Sequence, residues 1–319
     1  MAPRCAPSPS RAIWPSSPER MGFLFDVIGP LFTLIGCGFF LGRRRKIETE
    51  PLADVAIYIC LPFLLFSTLV RHPVTGLAAL QMFAWQGGMY LCSIPLIWLV
   101  ARLFGWDSAT RSAVTLSLPT VNVASYGVPV VLFALGDEAL AVIMLLFVYG
   151  NVFGSSLGVY IAAGGRQKPW QAFASIFKLP LIYTAAAALA INATGSAIPD
   201  SILDTANLIG KAGPILAIIL LGIQVSRIQL RGNAVLYGGI ATKILLSPVL
   251  GIGLTLAIGA EGAVRDVLLI CSCLPTAINA LILTVRFDAR PDLLGGILIG
   301  STLWSPLALS VMLYWIAAN

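Results

Sequence analysis

Charged side chains are scarce in this 319-residue chain. Asp, Glu, Lys and Arg make up 11% of it, whereas hydrophobic residues make up 58%. An ordinary soluble domain carries about 25% charged residues. So few charges cannot cover the surface of a water-soluble globule of this size. The apolar residues also fall into blocks of about 20, the length that crosses a bilayer core. The sequence therefore predicts an all-α polytopic membrane protein.

Patterns of catalysis and metal binding are also missing. The chain has one histidine, and its six cysteines show no C-x-x-C spacing. No His-Glu-x-x-His pattern and no phosphate-binding loop occurs. We therefore expect neither an enzyme nor a bound metal or other cofactor. The net charge of +6 does not indicate a nucleic-acid partner, because most of the cations lie in short loops between apolar segments.

Ten apolar segments can be drawn along the chain, and their lengths predict ten transmembrane helices. They cover roughly residues 22–42, 52–70, 80–104, 110–135, 139–162, 173–193, 203–225, 234–258, 263–287 and 291–316. Residues 1–20 precede the first segment and are rich in Pro, Ser and Arg. We interpret them as a disordered tail or as the product of a misassigned start, with Met21 as the true first residue.

Lys and Arg are distributed unevenly between the loops. The odd-numbered loops contain thirteen of them, and the even-numbered loops contain three, namely Arg71, Lys211 and Arg265. Cytoplasmic loops of membrane proteins are the ones enriched in Lys and Arg. The bias therefore predicts a multi-pass protein of the cell (inner) membrane with cytoplasmic odd loops and both termini outside.

An internal repeat is visible in the prolines. Pro30, Pro62 and Pro95 recur 150, 152 and 153 residues later, as Pro180, Pro214 and Pro248. The repeat unit contains five segments, so the second copy enters the membrane from the opposite side. We therefore predict two inverted five-helix repeats, residues 21–165 and 166–319, an arrangement found in many secondary transporters.

Two segments contain residues that a membrane helix disfavours. They read "SLPTVNVASYGVPVV" at 117–131 and "CLPTAINALIL" at 273–283, in the fourth and ninth segments. Proline removes a backbone donor, and broken backbone within the membrane is tolerated only where protein buries it or where it lines a wet cavity. These segments are predicted to be broken helices that cross near the midplane. The alternative is that Pro119 and Pro275 only kink packed helices.

Broken helices of this kind offer ligands for a substrate. Their half-helix N-termini present N–H groups and a partial positive charge, and asparagine side chains both donate and accept hydrogen bonds. The predicted substrate-binding residues are Asn122, Asn279, Pro119, Pro275, Thr120, Thr276 and Gly127.

Two further charges fall within predicted spans. Lys243 lies in the eighth, where it could attract a carboxylate or stand in for a coupling cation; the alternative is snorkelling to the nearby cytoplasmic surface. Asp26 lies near the outer end of the first, where it could carry a coupling proton or simply be interfacial.

The chain resembles the auxin efflux carrier family in its short bacterial form. The resemblance runs from Met21 to the C-terminus and depends on "GPLFTLIGCGFFLGRRR", "YICLPFLLFSTL", "GVPVVLFALGDEALA" and "LPTAINALILTVRFDARPDLLGGILIGSTL". It implies a ten-helix carrier that works by alternating access, with the fourth and ninth helices crossing. It also implies an organic anion as substrate, such as auxin in plant members and malate or malonate in bacterial ones. The family's crossover asparagine falls on Asn122.

The expected function is therefore that of a secondary carrier, most simply an efflux carrier, for a small mono- or dicarboxylate. The expected partners are this anion and the lipid bilayer, and a homodimer stays open as an assembly. One alternative is a sodium-coupled symporter of the bile-acid type, although neither crossover segment contains the Glu expected near its sodium sites. Another is a membrane receptor that transports nothing.

Overall fold

The computed structural model describes residues 20–164, 180–227 and 232–318, with side chains described from residue 29 onward. The predicted tail before Arg20 and the predicted repeat boundary at 165/166 lie outside these ranges. Within them the protein is all-helical.

The first helices are α1 (Arg20–Arg44), α2 (Glu50–Arg71), α3 (Gly76–Phe104) and α4 (Ser108–Ser117). Helical structure resumes at Val123 and continues to Ala162, but Gly136 within it has φ 80° and ψ −169°. A positive φ is a conformation that glycine adopts readily and other residues rarely. Gly136 therefore separates α5 (residues 123–135) from α6 (residues 137–162), as the predicted loop between the fourth and fifth segments requires.

The remaining described helices are α7 (Pro180–Thr194), α8 (Asp200–Val225), α9 (Ala234–Ala257), α10 (Gly262–Ser272), α11 (Ile278–Arg286) and α12 (Pro291–Ala318). Among the described residues, six helical stretches are long and apolar enough to cross a membrane. They are Glu50–Arg71, Gly76–Phe104, Val123–Ala162, Asp200–Val225, Ala234–Ala257 and Pro291–Ala318. The protein is accordingly a polytopic membrane protein.

Two of the predicted membrane segments, the fourth and the ninth, are each interrupted by a short non-helical gap. α4 ends at Ser117 and α5 begins at Val123, while α10 ends at Ser272 and α11 begins at Ile278. Each gap contains the Leu-Pro-Thr triplet of the sequence, so the breaks lie where proline removes a backbone donor. We call these two gaps, residues 118–122 and 273–277, the interruptions.

α8 packs closely on α1 and α2. A Cβ atom at Gly38 of α1 would lie 2.1 Å from the carbonyl oxygen of Ile219, and one at Gly222 would lie 2.2 Å from that of Ile35. Only glycine at both positions allows the two backbones this approach. α7 packs on α2 beside this group.

The interruptions lie among other helices. α9 contacts α3, α10 and α12, and α12 also contacts α4 and α11. α3 packs against α6 through the edge-to-face pair Phe83 and Tyr149, whose ring centroids are 5.5 Å apart. Thus α3, α9 and α12 provide side chains that reach the interruptions.

Candidate functional site

The two interruptions are hydrogen-bonded to each other. The backbone N–H of Asn122 donates to the carbonyl oxygen of Pro275 over 2.8 Å, and that of Ala277 donates to the carbonyl oxygen of Thr120 over 2.7 Å. Val121 and Thr276 thereby pair as a short antiparallel bridge. Buried backbone groups need partners, so each interruption satisfies groups that the other leaves free. The two form one structural unit.

The threonines of the two triplets bind backbone rather than facing an open space. Thr276 donates its hydroxyl to the carbonyl oxygen of Ser117 over 3.1 Å, and its N–H donates to Ser301 Oγ over 3.2 Å. The Thr120 hydroxyl donates to the carbonyl oxygen of Leu116. Both side chains are buried. They therefore close the end of α4, and their hydroxyl protons are already engaged.

Gly127 allows the second interruption to approach α5. A Cβ atom at this buried position would lie 2.7 Å from Leu274 Cδ1 and 3.0 Å from Ile143 Cδ1. The structure thus gives Gly127 a packing contact with Leu274, the residue that precedes Pro275. Pro119 and Pro275 are themselves buried within the interruptions.

Asn122 caps the N-terminus of α5. Its Oδ1 accepts a hydrogen bond from the N–H of Ser125 over 3.2 Å. The side chain is 4% exposed, and its Nδ2 has no hydrogen-bonding partner among the described residues. A buried amide N–H without a partner is costly. It is therefore a ready donor for a carboxylate or carbonyl oxygen.

Asn279 occupies a different setting from Asn122. It lies in the first turn of α11, and its side chain is exposed. No hydrogen bond joins the two asparagines in the described structure. The structure therefore brings the two interruptions together and leaves one of these side chains buried and the other exposed.

Lys243 reaches the first interruption from α9. Its Nζ donates to the carbonyl oxygen of Leu118 over 3.2 Å and to Ser247 Oγ over 3.1 Å. The residue is 2% exposed, so it does not snorkel to a surface. Within the described part of the chain, no carboxylate lies within 4.0 Å of Nζ. The cation stands at the C-terminal end of α4, where the helix dipole is negative.

Lys243 also borders a small cavity between α9, α10 and α12. The cavity is lined by Lys243, Ile244, Ser247, Pro248, Ser272, Cys273, Leu274, Ser301, Trp304 and Ala308. Four of these residues carry a hydroxyl or an ammonium group that can donate to an anion. Asp26, the other predicted intramembrane charge, lies in α1 among residues whose backbone alone is described.

Several side chains of this region were not predicted from the sequence. Ser247 lies one turn beyond Lys243 and contacts the carbonyl oxygens of Leu118 and Ser272, each over 3.4 Å. Gln86 of α3 donates its Nε2 to the carbonyl oxygen of Pro119 over 3.2 Å. The available signals were the four-residue spacing of Lys243 and Ser247 and the position of Gln86 beside two glycines.

Outside the apolar segments, a polar cluster ties α4 to the start of α12. Asp107 caps α4 by accepting from the N–H of Thr110 over 3.0 Å, and hydrogen bonds from Thr110 lower the pKa of this carboxyl. Arg290 donates to Thr110 Oγ1 over 3.3 Å and pairs with Asp292 over 3.1 Å. The cluster joins the N-terminal ends of α4 and α12.

No group of three or more His, Cys, Asp and Glu side chains that could hold a metal ion occurs in the ranges that the structure describes. The polar groups at the interruptions are amide, hydroxyl, backbone and ammonium groups. Such a set suits an anion with hydrogen-bonding oxygens better than it suits a metal.

Comparisons with known proteins relate the chain to membrane transporters. A family model described as "Membrane transport protein" matches residues 23–313. The chain is 25% identical over 310 residues to an uncharacterized transporter of Methanocaldococcus jannaschii, covering 92% of this chain and 99% of that one. It is 25% identical over 279 residues to an uncharacterized transporter of Methanothermobacter thermautotrophicus, covering 84% and 89%.

A third relative carries a substrate in its name. The chain is 23% identical over 316 residues to a protein of Rhizobium meliloti named "Putative malonate transporter", covering 94% of this chain and 98% of the other. Malonate is a small dicarboxylate.

Proposed function

Since the chain belongs to the membrane transport protein family of the auxin efflux carriers, we propose that it is a secondary carrier for a small organic anion, a mono- or dicarboxylate. It is a transporter-family protein and not an enzyme. In the proposal, the anion binds where the interruptions meet, and the carrier works by alternating access, in the direction of efflux. The protein lies in the cell (inner) membrane with both termini outside.

The observation that carries this proposal is that the two interruptions pair beside Lys243, a cation without a carboxylate partner in the described structure. Lys243 is buried next to the first interruption without a carboxylate within 4.0 Å in the described structure. An intramembrane charge is expensive and usually has a partner. A transported anion would supply that partner during each cycle.

The free amide of Asn122 supports the same site. Its Nδ2 lies at the N-terminus of α5, where the helix dipole is positive, and has no partner among the described residues. Asn279 lies in the first turn of α11, at the corresponding half-helix of the ninth segment. We propose that both asparagines donate to the substrate, and that Asn279 does so from its exposed position in the same access path.

Two inverted five-helix repeats are part of the proposal. The interruptions contain Pro119 and Pro275, 156 residues apart, and each is followed by the N-terminus of a half-helix. Related spacings between Pro30, Pro62 and Pro95 and their counterparts support a duplication. In transporters of this architecture the substrate lies near the midplane at the repeat interface.

A ligand screen tests the substrate class. Purified protein in detergent is heated with a panel of mono- and dicarboxylates, malonate among them, and with matched neutral amides and organic amines. A ligand that binds the folded state raises the midpoint of unfolding. We expect stabilisation by one or more carboxylates and none by the amides or amines; stabilisation by amines alone would overturn the proposed substrate class.

A further inference from the structure

Two buried oxygens of α3 lack hydrogen-bonding partners. Gln86 is 1% exposed and Tyr90 is 0% exposed, and they lie one helical turn apart on the same face of α3. Neither Gln86 Oε1 nor Tyr90 Oη has a partner among the described residues. Buried polar atoms are nearly always hydrogen-bonded. Two unpartnered oxygens on one helix face therefore indicate a place for a ligand.

The orientation of the Gln86 amide is fixed by its other contact. Its Nε2 donates to the carbonyl oxygen of Pro119 over 3.2 Å, and a carbonyl oxygen can only accept. Oε1 therefore points away from the interruption as an acceptor without a donor. Tyr90 Oη can both donate and accept. The pair requires a ligand group that offers a proton and can also receive one.

A stripe of glycines on α6 faces these two oxygens. A Cβ atom at Gly150 would lie 4.0 Å from Gln86 Oε1, and Cβ atoms at Gly154 and Gly158 would lie 3.5 Å and 3.6 Å from Tyr90 Oη. The three glycines are spaced by four residues, so they share one side of α6. Residues Gly154–Gly158 form a π-helical turn, a feature frequent at functional sites.

The two oxygens lie among apolar side chains: Tyr90 belongs to a buried hydrophobic cluster, and its ring stacks on that of Phe153 with 6.0 Å between the centroids. α3 contains no Asp or Glu, and its one cation, Arg102, lies in its last turn. No metal-binding group and no ion pair of the described residues involves this site, so a metal ion or ammonium group would lack a carboxylate to balance it. A carboxylate would meet the acceptor Oε1 of Gln86 and be repelled. A neutral hydroxyl fits, since it donates to Gln86 Oε1 and accepts from Tyr90 Oη.

We propose that Gln86, Tyr90 and the glycine stripe Gly150, Gly154 and Gly158 form a hydroxyl subsite, which receives an alcohol group of the transported anion. This inference rests on the proposed function, because it specifies the substrate as a hydroxycarboxylate. The hydrogen bond of Gln86 to Pro119 joins the subsite to the interruptions. The carboxylate is bound at the interruptions, and the subsite selects for the hydroxyl.

Paired substrates test the subsite in proteoliposomes. The pairs differ by one hydroxyl: propanoate and lactate, malonate and hydroxymalonate, succinate and malate. The wild type should transport the hydroxylated member of at least one pair with an initial rate about tenfold higher, the magnitude expected for a hydrogen-bonding site that must otherwise leave polar groups unpaired.

Two substitutions remove the subsite with little change elsewhere. Tyr90→Phe deletes only the hydroxyl, and Gly154→Ala places a methyl group 3.5 Å from Tyr90 Oη, an ordinary contact distance. Both should bring the rate ratio of the pair close to one while transport of the unhydroxylated member continues. The controls are Tyr237→Phe, whose ring is exposed, and Gly253→Ala, where a Cβ atom would meet nothing within 4 Å.

The outcomes separate the two proposals. Transport of carboxylates without a hydroxyl preference in the wild type, or a preference that survives both Tyr90→Phe and Gly154→Ala, overturns the subsite and leaves the anion carrier intact. If the wild type moves none of the six anions, the proposed function itself fails. A ratio that collapses in both variants and persists in both controls supports the subsite.

Discussion

Lys243 Nζ donates to the carbonyl oxygen of Leu118 over 3.2 Å, so a cation of α9 closes the broken end of α4. The two residues are separated by 125 positions in the sequence, and both are buried. The contact places a positive charge beside the interruptions. It also gives that charge a structural partner, which an incoming anion would have to share.

Replacement of Lys243 should separate binding from folding. Lys243→Gln keeps a donor for Leu118 but removes the charge, so we expect anion transport to fall at least about tenfold, because a hydrogen bond to a charged group contributes more than a neutral one. Lys211→Gln is the matched control, since Lys211 is exposed and its ion pair with Asp137 is long, at 4.0 Å. Uptake in proteoliposomes and unfolding temperature are measured for both. Equal uptake in Lys243→Gln and wild type would contradict a role in anion binding.

Asn122 has two functions that one substitution can divide. Ser is as good an N-cap as Asn, so Asn122→Ser should preserve the start of α5 while removing the free amide N–H. We expect carboxylate affinity to drop about tenfold with a nearly unchanged unfolding temperature. Asn122→Ala, in contrast, should lose affinity and also about 1 kcal/mol of stability. Ligand-induced shifts of the unfolding midpoint report both quantities, and full affinity in Asn122→Ser would argue against the amide as a ligand.

The packing of Gly127 against Leu274 predicts a rescue. Gly127→Ala adds a methyl group 2.7 Å from Leu274 Cδ1, and we expect it to destabilise the protein by about 1–3 kcal/mol through overpacking. Leu274→Ala in the same chain should restore part of that loss, a coupling that a double-mutant cycle measures. Strictly additive effects would show that α5 and the second interruption do not press on each other here.

Acid should weaken the cap of α4. Hydrogen bonds from Thr110 lower the pKa of Asp107, so the ionised carboxylate is favoured by folding. Its contribution is fully present above the unfolded pKa of about 3.9 and is lost as the pH falls through the lower folded value. Asp107→Asn keeps a capping oxygen without the charge. The wild type should exceed this variant in unfolding temperature at pH 6, and the difference should shrink progressively as the pH falls below about 4; a constant difference would exclude the titration.

Membrane orientation can be checked with single cysteines. Glu48 lies in the loop after α1, and Ser196 lies in the loop after α7; both are exposed. In a chain without native cysteines, we expect Glu48→Cys to react with an impermeant maleimide only after the cytoplasmic face is opened, and Ser196→Cys to react in intact cells. The reverse pattern would invert the predicted orientation of both termini.

The sequence contains the signals for most helices because these signals are local. Apolar length predicts the membrane helices, and the Leu-Pro-Thr triplets predict both interruptions, since proline removes a donor wherever it occurs. The glycine conformation at residue 136 likewise coincides with a predicted loop.

The contacts of the site are not local, and composition does not reveal them. Lys243 near a helix end that is predicted to be cytoplasmic is compatible with snorkelling, and only the packing of α9 on α4 shows that it meets Leu118. The partners of Thr276 lie 159 and 25 residues away, at Ser117 and Ser301. The matched asparagines suggest a symmetric pair, yet Asn122 is buried and Asn279 is exposed.

The most direct test of the central claim, that an organic anion is carried at the paired interruptions, is uptake of radiolabelled mono- and dicarboxylates into proteoliposomes. It compares the wild type with Asn122→Ala and Asn279→Ala variants that remain folded. We expect the wild type to transport at least one carboxylate and each variant to lose most of that transport. Normal transport in both variants would contradict the account.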